Sequence, residues 1–227
     1  MKLYIGNRNY SSWSMRPGVL LAQADIAHEA VVIRFDAFGA ESQFKRGVAA
    51  VSPAGRVPVL VDGELAIWDT LAIAEYVAEK FPAKHLWPAD PAARARARSV
   101  CAEMHSGFSA LRGACPMNIE ASLPETGALI WRDNAAVRAD VTRIVEMWAA
   151  LLDASGGPLL FGGFSVADAF YAPVCMRLFT YALPVPAAVR AYMERVRALP
   201  GVAAWIAAAL AEKDFLDFEE PYRLRRV

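Results

Sequence analysis

Val57-Pro58-Val59-Leu60-Val61-Asp62-Gly63-Glu64-Leu65-Ala66-Ile67-Trp68-Asp69-Thr70-Leu71-Ala72-Ile73-Ala74-Glu75-Tyr76 reads as a hairpin running into a helix. Residues 57–61 and 64–68 are short β-prone runs on either side of Asp62-Gly63, a pair suited to a type I′ turn because both central positions take positive φ. The two runs should pair antiparallel. Asp69 and Thr70 are both capping residue types, and Leu71, Ile73, Ala74 and Val77 recur at helical spacing until Phe81-Pro82 stops the helix. Pro58 removes a ladder donor, which restricts it to an edge, a strand start or a bulge.

Upstream, Leu3-Tyr4-Ile5 is a short strand, followed by the polar turn of residues 6–10. The pattern predicts a helix over 14–24, with a serine as N-cap and Pro17 in the first turn, a second strand over 30–35 and a short helix over 41–50. The order βαβαββα describes a small mixed sheet covered by helices. Downstream, the turn-rich residues 83–91 form a linker, and helices are expected over 91–114, 125–154, 166–182, 185–198 and 201–213, with a charged tail over 214–227. This divides the chain into an α/β unit (1–82), a linker (83–91) and an all-α unit (92–227).

The chain has 227 residues, 56% of them hydrophobic, enough apolar material for a core that argues against disorder. The 24 Lys and Arg balance the 24 Asp and Glu, so no overall field draws it to nucleic acid or an anionic membrane. Cys101, Cys115 and Cys175 are widely spaced and form no metal-ligand pattern, which points to a reducing cytoplasm and no metal. The N-terminus carries no signal-peptide pattern, and no apolar run approaches the ~20 residues of a membrane span. Arg94, Arg96 and Arg98 fan over a wide helical arc, which reads as a solvated face.

Ser11-Ser12-Trp13-Ser14 places hydroxyls between a strand and the positive end of a helix, where free N–H groups favour an anion. A serine there can donate to a thiolate or phosphate, or can simply cap the helix. Tyr10-Ser11-Ser12-Trp13-Ser14-Met15-Arg16 resembles the serine-type, zeta-like pattern of the glutathione transferase family, in which the active serine lies five positions before an arginine. Ser11 and Arg16 have that spacing. Ser52-Pro53-Ala54-Gly55-Arg56-Val57-Pro58 resembles the family's cis-proline loop, and Asp69-Thr70-Leu71-Ala72-Ile73-Ala74-Glu75-Tyr76 its segment holding the γ-glutamyl end. The resemblance spans nearly the whole chain.

The resemblance implies a thioredoxin-like α/β domain followed by an all-α helical bundle, assembled as a homodimer. It implies glutathione as co-substrate, bound at Val57, Pro58, Asp69 and Thr70, with Ser11 as the thiolate donor and Ser12 and Ser14 as rivals. The expected chemistry is attack of the glutathione sulfur on a small hydrophobic electrophile, as in detoxification, or a related isomerisation or peroxide reduction. A non-catalytic glutathione carrier is the other reading. Ser11 and Ser14 stand where a thioredoxin-type redox enzyme would carry C-x-x-C. The electrophile pocket is expected between the units, where Met104, His105, Phe108, Leu111 and Arg112 recur at spacings that also suit a core stripe.

A free thiol titrates near 8.5, so little thiolate exists at neutral pH. A hydrogen bond to a charged acceptor contributes roughly 1.5–3 kcal/mol and a helix N-terminus about 0.3–1. Together these lower a thiol pKa by about 1–3, without a general base. Ser165 and Asp168 resemble the capping box inside the family's C-terminal bundle and are assigned a structural role. The family's zeta class has a substrate-carboxylate arginine in this helix, but that position falls at Thr180 here, with Arg177 about one turn away. This departure weighs against activity of the maleylacetoacetate isomerase type.

Overall fold

Strand β1 (Lys2–Ile5) lies in the middle of a four-stranded sheet, with β2 (Glu29–Val32) parallel on one side and β3 (Val59–Asp62) antiparallel on the other. β4 (Leu65–Trp68) pairs antiparallel with β3 and forms the edge, giving the order β2-β1-β3-β4. This computed structural model describes residues 1–226. The β3–β4 turn differs in type from the I′ expectation. Asp62 pairs with Leu65, so the loop is Gly63-Glu64, and only Gly63 has positive φ, 61°, as a type II′ turn requires at its first central position. The Val57–Pro58 peptide is cis, and Pro58 precedes the ladder that starts at Val59.

Helices α1 (Ser12–Gln23), α2 (Gln43–Ala49) and α3 (Thr70–Lys80) accompany the sheet. α1 begins two residues before the expected start because Ser11 is the cap, which leaves Pro17 inside the helix and the Trp13 carbonyl without its usual partner. Among the described residues, helices α4 (Pro91–Ser106), α5 (Ser109–Ala114), α6 (Pro124–Asp133), α7 (Ala135–Ser155), α8 (Val166–Thr180), α9 (Ala187–Ala198) and α10 (Pro200–Glu212) make up the second half. The expected helix over 91–114 is two helices. Gly107 ends α4 and Phe108 follows in the left-handed region at φ 56°. The helix expected over 125–154 likewise breaks, at Asn134, which ends α6 and caps α7 through the Val137 N–H.

α1 is the hinge of the architecture, packed against α8 and α10 as well as the sheet. Gly18 permits this approach, since a Cβ there would sit 2.2 Å from the Trp205 ring. α8 is buried along nearly its whole length. Its first N–H, on Val166, bonds the Leu86 carbonyl at 2.9 Å, so the expected linker is packed into the bundle. At the head of α8, Asp168 accepts the Ser165 N–H at 3.0 Å, as a capping box requires, and also the Leu160 N–H and the Tyr192 hydroxyl.

The tail is charged, as expected, but it is not free of the rest of the fold. It folds back over the first half, where Leu216 packs on the small core of Tyr10, Phe35, Phe44 and Val48. Glu220 is buried and takes hydrogen bonds from Tyr10, Asn118 and Arg223. Arg226 pairs with Glu120.

Candidate active site

The buried Asn7 fixes the turn that delivers the chain to α1. Its carbonyl accepts the Tyr10 and Ser11 N–H groups, and its side chain takes the Phe35 N–H at 2.7 Å and donates to Asp214 at 2.6 Å. The turn sets three serines at the head of α1 in three different environments. Ser11 is the N-cap, and its hydroxyl donates to Ser14 Oγ at 2.7 Å. Ser14 is fully buried inside the helix, where its Oγ also accepts the Gly6 N–H at 3.1 Å. Ser12, only partly buried, accepts a hydrogen bond from Arg177 Nη2 at 3.1 Å. Tyr10 commits its hydroxyl to Glu220 at 2.7 Å, and burial, followed by that carboxylate, pushes its pKa well up.

Three guanidinium groups surround this helix end. Arg16 and Arg112 lie over the Trp13 ring, 4.1 and 4.8 Å from its centroid, and Arg16 also donates to Thr70 Oγ1 at 3.4 Å. Arg177 anchors through Nη1 on the carbonyls of Arg112 (3.2 Å) and Cys115 and points Nη2 at Ser12. Among the described residues, none of the three forms an ion pair with a carboxylate. Burial first, and then mutual repulsion, lowers Arg16 to about 9 and Arg177 to about 10; burial alone lowers Arg112. Arg16 Nε is buried with no partner. Such a cluster favours the arrival of an anion.

The cleft beside it encloses about 590 Å³ between Trp13, Val57, Pro58, Asp69 and Thr70 on one side and His105 and Arg112 on the other. Asp69 is held at φ 75° at the head of α3; Oδ1 accepts the Leu71 N–H at 2.8 Å and Oδ2 faces His105 Nε2 at 3.3 Å. Thr70 is 1% exposed. A second recess of about 300 Å³ continues the cleft past Trp13, Arg56 and Val57 to Ser11, Ser12 and Glu219. The sequence-expected binding residues Val57, Pro58, Asp69 and Thr70 thus stand together.

Of the expected electrophile-pocket residues, His105 and Arg112 line the cleft, whereas Met104 and Phe108 are 2% and 7% exposed in the core, as is Leu111. Met104, Phe108 and Leu111 thus belong to the core stripe that their spacing also suits. Thr180 donates to the Asn118 carbonyl at 2.7 Å and lies outside the cleft. Sequence reasoning missed the Arg177–Ser12 contact, the Asp69–His105 pair and the docking of the tail. Arg177 was conspicuous as a charge in an apolar helix; Phe215, Leu216 and Phe218, spaced among the acids of the tail, were the signal for its docking.

A four-stranded mixed sheet with a cis-proline loop, joined to a helical bundle across a cleft headed by α1, defines a thioredoxin-like domain with an α-helical partner. Residues 10–80 match the Glutathione S-transferase, N-terminal domain family, and residues 131–208 match the Glutathione S-transferase, C-terminal domain family. The chain is 30% identical over 175 residues to Glutathione S-transferase 1 of Dianthus caryophyllus, covering 76% of this chain and 75% of that one. It is 34% identical over 121 residues to Maleylacetoacetate isomerase of Pseudomonas aeruginosa, covering 52% of this chain; it spans about half of that relative, 55%. The crystal structure of a glutathione transferase homolog from Burkholderia with bound glutathione is similar at 25% identity and a TM-score of 0.69, covering 93% of this chain and 98% of that one. The chain belongs to the glutathione S-transferase family.

Proposed function

We propose that this protein is an enzyme that binds glutathione in the cleft, keeps its thiol ionised, and directs the thiolate at a small hydrophobic electrophile. The observation that carries this is the convergence of the α1 head, with its Ser11 and Ser12 hydroxyls, on three carboxylate-free guanidinium groups, opposite Asp69 and Thr70. The cleft volume, about 590 Å³, lies within the range of small-molecule sites. The Val57 backbone lies along the tripeptide beside cis-Pro58, Asp69 takes the γ-glutamyl ammonium, and Thr70 takes the adjoining carboxylate. His105 and Arg112 face the acceptor.

A glutathione-dependent isomerisation of the maleylacetoacetate type is a second reading, favoured by the similarity to the Pseudomonas enzyme. Half-exposed Leu65 and Trp68 on the edge strand β4 support a homodimer. Three free, buried cysteines fit a cytoplasmic setting, and no described helix is long and apolar enough to cross a membrane. Capture on immobilised glutathione, followed by turnover on a panel of electrophiles and a maleyl substrate, tests the proposal. Capture with turnover is expected. Capture without any turnover identifies a carrier, and no capture overturns glutathione binding itself.

A further inference from the structure

We infer that His105, reaching the cleft from α4 in the helical half, is a specificity-determining residue of the glutathione site: its imidazole shares one oxygen of Asp69 with the γ-glutamyl ammonium and makes capture of that ammonium depend on pH. The inference rests on the proposed glutathione binding and gives His105 a task beyond facing the acceptor. Asp69 has two oxygens in two roles. Oδ1 caps α3 by accepting the Leu71 N–H at 2.8 Å, which leaves Oδ2 for a ligand. His105 Nε2 stands 3.3 Å from that same Oδ2. The ring packs edge-on against Trp13, with centroids 5.0 Å apart, and its Nδ1 is buried with no hydrogen-bond partner. Among the described residues, Asp69 is the one carboxylate within ion-pair distance of this imidazole.

Histidine is the side chain whose charge ordinarily changes between pH 5 and 8. As an imidazolium it is the counter-ion of Asp69, so an arriving ammonium meets a neutralised carboxylate with a like charge beside it. As a neutral ring it leaves Oδ2 its full charge for the ligand. Proton and ammonium therefore compete at one oxygen, and a ligand that binds while His105 is protonated displaces that proton to solvent. The other charged groups lining the cleft, Arg56 and Arg112, are arginines and stay cationic across this range. Arg16 of α1 lies against the Trp13 ring and donates to Thr70, and Arg177 of α8 is bonded to the Arg112 and Cys115 carbonyls and Ser12. Glu75 of α3 and Glu103 of α4 are paired with Arg98 and Arg143. Burial raises two further carboxyls, but Glu219 faces the recess past Trp13 and Asp168 is bonded at the head of α8. Neither they nor His28 and His85 line the cleft at Asp69.

The test is calorimetric titration of the full-length protein with S-methylglutathione, which has the γ-glutamyl ammonium but no thiol to ionise, across the range from about pH 5 to 8. Its Kd is expected to tighten about tenfold as pH rises, with proton release at the acid end read from the dependence of the binding heat on the buffer. His105→Gln, which puts an uncharged amide near the Nε2 position, is expected to lose both the slope and the proton release. A second probe, S-methylglutathione without its γ-glutamyl amino group, is expected to bind without that tightening. Because it keeps the glycyl end and the sulfur, any contribution of Glu219 or Asp168 shows with both probes alike. A merely structural role for His105 would weaken both probes equally at every pH. A flat profile in the unsubstituted protein, a slope that survives His105→Gln, or an equal slope with the deaminated probe overturns the inference. If His105→Gln does not fold, the comparison of the two probes on the unsubstituted protein still decides. Failure to bind S-methylglutathione at any pH overturns the underlying reading and this one together, whereas binding with an unchanged slope in His105→Gln overturns this one alone.

Discussion

Thr70 shows how closely binding and folding are joined at single residues. It is the first residue of α3, is buried, and accepts from Arg16, whose Nε already lacks a partner. In the proposed complex the same hydroxyl donates to the γ-glutamyl carboxylate. Thr70→Val is therefore expected to raise KM for glutathione about tenfold or more while leaving kcat within a few fold, as loss of a hydrogen bond to a charged group predicts. Steady-state kinetics at varied glutathione checks this, and an unchanged KM would remove Thr70 from the site. Asp69 and His105 illustrate a different limit. Both were marked from sequence, Asp69 for glutathione and His105 for the electrophile pocket; their 3.3 Å contact exists only because α3 and α4 meet there.

At the scale of elements, α8 carries the bundle through one buried carboxyl. Burial raises Asp168 from 3.8 to about 6, against the pull of the Leu160 and Ser165 N–H groups and the Tyr192 and Ser165 hydroxyls. A carboxyl whose folded pKa lies above its unfolded value binds more protons in the folded state. Stability from this group is therefore greatest below about pH 4 and declines as pH rises through 6, by about 3 kcal/mol at most. Asp168→Asn should abolish that slope, so that its stability relative to the unsubstituted protein improves between pH 4 and 7. Urea unfolding at the two pH values measures it; parallel pH dependences would show that Asp168 does not titrate in this window. The same element shows what periodicity conceals. The capping box was legible because its partners are three residues apart, whereas the Tyr192 contact joins α8 to α9 across the core.

At the scale of the molecule, the tail closes one wall of the recess at the head of α1 and ties the two halves together. Burial draws the Glu220 pKa upward, but hydrogen bonds from Arg223, Tyr10 and Asn118 outweigh it and hold the carboxyl below its ordinary value. This depressed pKa contributes stability that is present above the unfolded carboxylate pKa and is lost as pH falls through the folded one. Glu220→Gln removes the charge and should speed amide exchange over residues 214–226 about tenfold, with the loop at Tyr10 following it. Hydrogen-exchange mass spectrometry reads the change directly. Exchange confined to the tail, with Tyr10 unaffected, would show that the strap does not hold the loop ahead of α1.

The sequence by itself determined the βαβαββα order, the helical second half, the proline at the head of β3 and the family resemblance, because each depends on local spacing and on residue types a few positions apart. Turn type, the breaks at Gly107 and Asn134, and the start of α1 were lost at that level, since caps and left-handed residues compete within one or two positions. Only the tertiary structure decided which groups surround each serine at the head of α1. Arg177 lies 165 residues from Ser12, and the Glu220 strap 210 from Tyr10. A side chain's electrostatic surroundings are set by packing between distant segments, and no periodicity in the chain encodes that distance.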